Sequence, residues 1–213
     1  MRNNITWHDD IEQGTPEWFS IRAGRVTGSS ASPLAASTAK GHGGLSVGAW
    51  SLVDKLAAQL IHPIEMDSDS EFRGNYWTDR GHELEPMAAL AYTGETLDRT
   101  EKMGFVSMNG RLAGCSPDRM IDENTGLEIK CLSLKMHLNW IRTKKVDTDK
   151  LRQINWCMYV TGFNKWVLMH YHPNAGNLSI DIQEFDRDEK MMDLFDEKLP
   201  LVEAAIIDLV NLA

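Results

Sequence analysis

Cysteine is scarce in this chain: Cys115, Cys131 and Cys157 are the three in 213 residues. No two stand in Cys-x-x-Cys spacing, and three cysteines cannot build a four-cysteine zinc or iron–sulfur site. The odd count, the wide spacing and the lack of an apolar signal region in Met1-Arg2-Asn3-Asn4 set the expectation of reduced thiols in a cytoplasm. Long apolar runs are missing too. The most apolar late stretch, Leu201 to Val210, is broken by Glu203 and Asp208, so no membrane span is expected. Internal repeats and low-complexity segments are absent. Positive charge is in short supply: 22 Lys and Arg face 31 Asp and Glu, a net charge of −9. That balance excludes a protein that coats nucleic acid by bulk attraction, though not one with a local basic channel. The length suits a single domain, 1–213, with a sizeable core. The 42% hydrophobic and 25% charged content are ordinary for a globular protein.

What is present converges on one stretch. Cys115-Ser116-Pro117-Asp118 is followed, after a nine-residue gap from Asp118, by Glu128-Ile129-Lys130. Arg111 to Ile121 reads as one strand and Leu127 to Cys131 as another, with turn chemistry in Asp122-Glu123-Asn124-Thr125-Gly126. A hairpin closed there brings Asp118 roughly opposite Glu128 or Lys130. Strand side chains alternate, so Glu128 and Lys130 share a face. Two carboxylates and an amine at one place suit a divalent ion and a water molecule. Mg²⁺ is the hard ion that keeps several waters and also takes phosphate oxygens. Lys130 either orients the attacking water, takes its proton, or steadies charge on a phosphate. The plain alternative is a surface hairpin with a Glu–Lys ion pair.

The rest of the chain supplies the setting. Thr15 and Pro16 open a helix through Arg22 that stops near Gly24. The small-residue turn Arg25 to Ser30 leads to a second helix beginning at Ser29 or Ser30. Its amides and hydroxyls, with Arg22, form a plausible phosphate cradle or an ordinary capped turn. Lys40 to Gly44 reads as a loop, Ser51 to Ile61 as an amphipathic helix, and His62 to Ser70 as an acidic loop. A further helix runs to Gly94 with Glu85 and Pro86 at its start. Glu101 to Met108 reads as a strand ending in an Asn109-Gly110 hairpin turn. Ser133 caps a helix to Lys144, and Asp149 caps one from Lys150 to Val160 that carries Gln153. Strands at Lys165 to Tyr171 and Leu178 to Glu184 precede a helix from Asp188 to Leu212, interrupted near Pro200. The order predicts an α/β fold with a central mixed sheet flanked by helices.

These residues resemble the phage lambda exonuclease family, the YqaJ-like viral recombinases and alkaline exonucleases of the restriction-endonuclease-like superfamily. The resemblance rests on Trp18-Phe19-Ser20-Ile21-Arg22 with Val26-Thr27-Gly28-Ser29, on Gly81 with Glu85, and on the Ser116-Pro117-Asp118 and Glu128-Ile129-Lys130 core. Gln153 with Tyr159 completes it. It implies a restriction-endonuclease-like core and a 5′-to-3′ exonuclease that degrades one strand of linear double-stranded DNA. The 3′ overhang would go to a single-strand annealing protein. It further implies Mg²⁺, with Mn²⁺ as a substitute, held by Asp118, Glu128 and Glu85. Lys130 and Gln153 would act at the water, and Arg22 and Ser29 would hold the 5′ phosphate. The family's ring-shaped homotrimers would let basic residues line a hole through an acidic protein. A phage or prophage protein in the cytoplasm of a bacterial host is the expected setting. Thr78-Asp79-Arg80 departs from an apolar wedge, which leaves duplex splitting to Tyr76, Trp77 or another loop. Three rivals remain: an endonuclease or nickase on the same fold, a catalytically silent DNA-end-binding scaffold, and a zinc protein using His82, His137, His170 or His172.

Overall fold

Two proline-and-glycine breaks organise the sheets. The computed structural model describes residues 4–38, 43–63 and 80–213 throughout, together with the backbone of 76–79. The predicted loops at 40–44 and 62–70 fall largely outside the described residues, as do the side chains of Tyr76 and Trp77. Glu101 to Met108, expected as one strand, is split at Gly104 into β2 (Glu101–Lys102) and β3 (Phe105–Met108), which belong to different sheets. Arg111 to Ile121 is likewise split into β4 (Gly114–Cys115) and β5 (Arg119–Asp122). Pro117 has no N–H to donate to a ladder, so pairing cannot run through it. At Gly104 the Ile11 carbonyl lies where a Cβ would sit, so the backbone there is approached too closely for any other residue.

The first sheet is β1 (Ile5–His8), β3 and β4, all antiparallel. Strand β1 has no local signal, because its partner lies about a hundred residues away. The Asn109-Gly110 turn closes β3 onto β4, with Gly110 at positive φ. Arg111 anchors that turn to the last helix through both carboxylate oxygens of Glu203, at 3.0 and 2.9 Å. The second sheet is mixed, in the order β2-β5-β6-β7-β8, with β6 at Thr125–Lys130, β7 at Lys165–Tyr171 and β8 at Ile180–Asp186. Strands β6 and β7 are parallel, so the chain between them crosses over through α4 (Leu134–Thr143) and α5 (Thr148–Thr161).

Strand periodicity then divides the core. Leu127 and Ile129 of β6 and Val167, Met169 and Tyr171 of β7 face one way. They pack on Ala88, Ala89 and Tyr92 of α3 (Tyr76–Thr96). Trp166 and Leu168 face the other way, into a larger cluster with α5, α2 (Val47–Ile61) and α6 (Glu189–Leu212). Helix α1 (Pro16–Arg22) starts as predicted, with Thr15 Oγ1 accepting from the Trp18 amide at 3.3 Å.

Several local expectations yield to packing. Pro86 lies inside α3 rather than at its start, and Pro200 does not interrupt α6. A proline inside a helix costs about 3 kcal/mol. Fully burying Phe195, Leu199, Val202 and Ile206 around Pro200 contributes about 1.5–3 kcal/mol for each side chain, which outweighs it. No second α-helix begins at Ser29 or Ser30. Two short 3-10 turns follow instead, at Gly28–Ser30 and Ser32–Ala35, the first closed by reciprocal bonds of Thr27 and Ser30. Asp147, not Asp149, precedes α5, because Asp149 instead accepts from Ser32 Oγ at 2.5 Å.

Two glycines separate close approach from mere helix flexibility. Gly104→Ala must displace the Ile11 carbonyl and is expected to lower stability by about 1–3 kcal/mol or more. Gly94→Ala, in α3 with open space around the new methyl, is expected to raise it by about 0.5–1 kcal/mol. Urea unfolding of both variants against the parent checks the pair.

Candidate active site

The break before β5 places Asp118 at the end of a bend rather than within a strand, and this corrects its expected setting. The hairpin still does what the pattern requires. Arg119 pairs with Leu127, and Asp118 Oδ2 accepts from the Ile129 amide at 2.7 Å. On β6, Glu128 and Lys130 share the face toward α5, and the Lys130 ammonium lies 2.5 Å from Glu128 Oε1. From α5, Gln153 Nε2 donates to that same oxygen at 2.7 Å. Glu128 is only 3% exposed, so its charge depends on these two donors. Asp118 and Lys130 open into a cleft of about 580 Å³ at the carboxyl end of β6. Glu85 and Gly81 of α3 and Met136 of α4 form its other walls.

Glu85 faces the cleft from inside α3, not from a helix N-terminus, so the expected dipole argument does not apply. Its partner is Arg119, at 3.0 Å. Among the described residues, no three His, Cys, Asp or Glu side chains form a ready cage for a metal ion. What the cleft offers is the Asp118 carboxylate at its wall, the buried Glu128 carboxylate behind it across the hairpin, and Glu85 beyond them. Mg²⁺ is commonly held by one or two carboxylates, with waters and phosphate completing its shell. The donor set therefore fits that ion without a third protein carboxylate in contact.

The electrostatics carry the mark of crowding. Burial first, and then the neighbouring Glu128, push the Asp118 carboxyl up to about 7, against the pull of Lys130 and the Ile129 amide. Burial works against the Lys130 charge as well, but Glu128 and Asp118 together outweigh it and raise its pKa. Lys130 is thus held as an ammonium.

Arg22 and Ser29 line a smaller recess of about 70 Å³, with Arg25 and Lys55. Arg22 donates to Ser116 Oγ at 3.0 Å, and its guanidinium lies 3.9 Å from the Trp18 ring centroid. Trp18 Nε1 donates to the same Ser116 at 2.9 Å. The recess is therefore tied to the residue two before Asp118. On its other side, a Cβ at Gly28 would lie 3.3 Å from Gln153 Cγ, so the Ser29 turn rests directly on the helix that supports Glu128.

Three of the four histidines of the zinc reading are used in packing, and the fourth, His82, is exposed at the cleft wall. His137 meets the Leu178 carbonyl at 2.6 Å, His170 stacks on Trp140, and His172 sits beside Arg80. Burial pushes His170 down to about 3, so it is neutral.

A family model for the YqaJ-like viral recombinase domain matches residues 17–164. The chain belongs to the YqaJ-like viral recombinase family. The match runs from within α1 to the residue before β7 and so contains both the recess and the cleft. The fold is that of an alkaline exonuclease. LHK-Exo from Laribacter hongkongensis superimposes with a TM-score of 0.77 at 22% identity, covering 92% of this chain and 95% of that one. The same protein in complex with dAMP gives 0.77 at 23% identity. A phage-related exonuclease from Haemophilus somnus 129PT gives 0.67 at 15% identity, with 88% and 95% covered. No curated protein matches in sequence.

Sequence reasoning missed three supporting side chains. Arg119 is hidden by its strand context. Gln13 donates to the Met103 and Pro117 carbonyls at 2.7 and 2.9 Å, one at each sheet break, and no local pattern announces it. Lys150 lines the cleft, and its signal was its place one helical turn before Gln153.

The raised Asp118 carboxyl has a consequence for stability. A carboxyl that titrates higher when folded than when unfolded, at roughly 3.9, costs stability increasingly as pH rises from about 4 to 7, after which the cost is constant. An asparagine side chain at this position would keep an oxygen for the Ile129 amide without the charge. Asp118→Asn is expected to melt above the parent by roughly 2–8 °C at pH 8, with no difference near pH 4. Calorimetric melting across that range is the check.

Proposed function

We propose that this protein is a metal-dependent exonuclease that removes one strand of linear double-stranded DNA from its 5′ end. The resulting 3′ overhang would be used in recombination by strand annealing. The observation that carries this reading is that Asp118 and Lys130 line one cleft while the buried Glu128, held by Lys130 and Gln153, lies directly behind them, in a chain of this family. Asp118 and Glu128 would hold Mg²⁺, with Mn²⁺ as a substitute and Glu85 acting from the cleft wall. Such an ion polarises the scissile phosphate and acidifies a bound water. Lys130, kept charged by its carboxylate neighbours, donates to the attacking water and to the charge developing on phosphate. Gln153 holds Glu128 in place for that work.

The 5′ polarity is supported by the recess. Arg22 offers a guanidinium whose burial has lowered its pKa to about 10, a sign of a cation withdrawn from water. Ser29 stands beside it, exposed. A terminal phosphate seated there would lie next to the Gln153 helix, with the following phosphate directed to the metal site. The related LHK-Exo is seen with dAMP, a nucleoside monophosphate, which is the product class this reaction releases. A homotrimeric ring would gather the basic recess and cleft residues around DNA. It would thereby reconcile binding with the net charge of −9. The partner for the overhang would be a single-strand annealing protein. No helix among the described residues is long and apolar enough to cross a membrane.

The test uses linear duplexes labelled at the 5′ or 3′ end, carrying a 5′ phosphate or a 5′ hydroxyl, and a closed circle. Each is incubated with Mg²⁺ or EDTA. Mg²⁺-dependent loss from phosphorylated 5′ ends, with circles intact, is expected. Arg22→Ala should cost about 10-fold or more on phosphorylated ends and much less on hydroxyl ends, the value of a charge-assisted bond. Cutting of circles would replace this reading with an endonuclease or nickase. End binding without cleavage under any metal would replace it with a scaffold.

A further inference from the structure

Glu128 carries a second line of support that begins at Lys150. Lys150 lies in the first turn of α5, and its Nζ donates to Gln153 Oε1 at 2.9 Å. Gln153 Nε2 then donates to Glu128 Oε1 at 2.7 Å. Lys130 approaches that same Oε1. An ammonium can only donate and a carboxylate can only accept. The two partners together therefore permit one orientation of the Gln153 amide. Both donors are gathered on Oε1, and no donor to Glu128 Oε2 stands among the described residues; Glu128 lies just behind the cleft wall formed by Ile129 and Lys130.

We infer that Lys150 is a positioning residue of this site, orienting the Gln153 amide so that Glu128 presents its second oxygen to the divalent ion. The inference rests on the proposed reading of the cleft as a metal-dependent nuclease site. Two further observations favour it over a purely structural lysine. Lys150 lines the cleft together with Lys130, yet makes no salt bridge among the described residues. Lysines that serve stability are ordinarily solvated or paired with an acid. Burial and the nearby Lys130 also work against its charge, and outweigh the pull of Glu128, Asp118 and Asp147. A cation kept there with no carboxylate in contact among the described residues, its Nζ spent on Gln153 Oε1, is explained by what that donation does to Gln153. Without it, the amide is free to turn its oxygen toward Glu128, where two acceptors would face each other. A chain of donation from a cation through an amide also polarises that amide and strengthens its bond to the carboxylate.

The test is a double-mutant cycle with Lys150→Met, Gln153→Ala and the pair, with Lys150→Arg as the conservative variant. It has two readouts: kcat and KM on linear duplex with Mg²⁺, and Mg²⁺ affinity by calorimetry without DNA. Partners that orient metal ligands typically cost 10–100-fold in affinity or activity when removed. Lys150→Met is expected to lower kcat and Mg²⁺ affinity within that span while KM changes less than about 3-fold. Its effect should vanish in the Gln153→Ala background, and Lys150→Arg should restore most of it. Additive effects, or a rise in KM alone, would overturn the inference and make Lys150 an independent phosphate contact. Should the parent protein bind Mg²⁺ but cleave no DNA, the nuclease reading fails by itself. The calorimetric cycle then still decides Lys150, since unchanged Mg²⁺ affinity in Lys150→Met would sink it.

Discussion

A carboxylate with 3% of its surface exposed is the constraint from which the site follows. An ionised group taken out of water is costly unless donors replace the water, and removing one partner of such a pair is strongly destabilising. Glu128 meets that requirement with Lys130 from its own strand and Gln153 from a helix more than twenty residues on. Satisfying one carboxylate thus fixes α5 against β6 in register and azimuth. The hairpin register and the Ile129 amide place Asp118 close by, where burial and repulsion hold its carboxyl high. A divalent cation would relieve that repulsion. A carboxyl perturbed by burial and a like charge in a cleft is the physical mark on which the proposed catalytic role rests.

The N-terminal segment keeps this geometry from relaxing. Gln13 and Trp18 hydrogen-bond backbone at the two places where strands are broken, and Trp18 and Arg22 share Ser116. Two sheets that already share the core around α5 are thereby also stitched at the bend that delivers Asp118. The recess of Arg22 and Ser29 is built by the same contacts. A ligand in the recess and a ligand in the cleft would therefore share one rigid support.

Much of this was legible in the sequence because it is local. The Asp122-to-Thr125 turn sets the register that opposes Asp118 to Glu128. It closes through an Asn124 amide on Asp122 Oδ1, as turn chemistry predicts. Thr15, Ser133 and Gly162 mark helix ends by the same short-range rules. The misplaced features are those in which distant packing overrides local preference. Pro86 and Pro200 sit inside helices because α3 and α6 bury long apolar faces against the sheet and against α2. A long strand through Pro117 and another through Gly104 were plausible in composition, but the backbone at each is claimed by contacts from the N-terminal segment.

By itself, the sequence determined the residue types, the hairpin and the alternation that set Glu128 and Lys130 on one face, since these depend on neighbours a few positions apart. It also determined the family, through motifs that recur in order. Only the tertiary structure decided that Glu85 answers to Arg119, that the Arg22 recess abuts the Gln153 helix, and that Lys150 reaches Glu128 through an amide. Apart from the one-turn step from Lys150 to Gln153, those contacts join residues tens of positions apart. Their geometry exists only once two cores have closed on opposite faces of one sheet, and no periodicity in the chain encodes it.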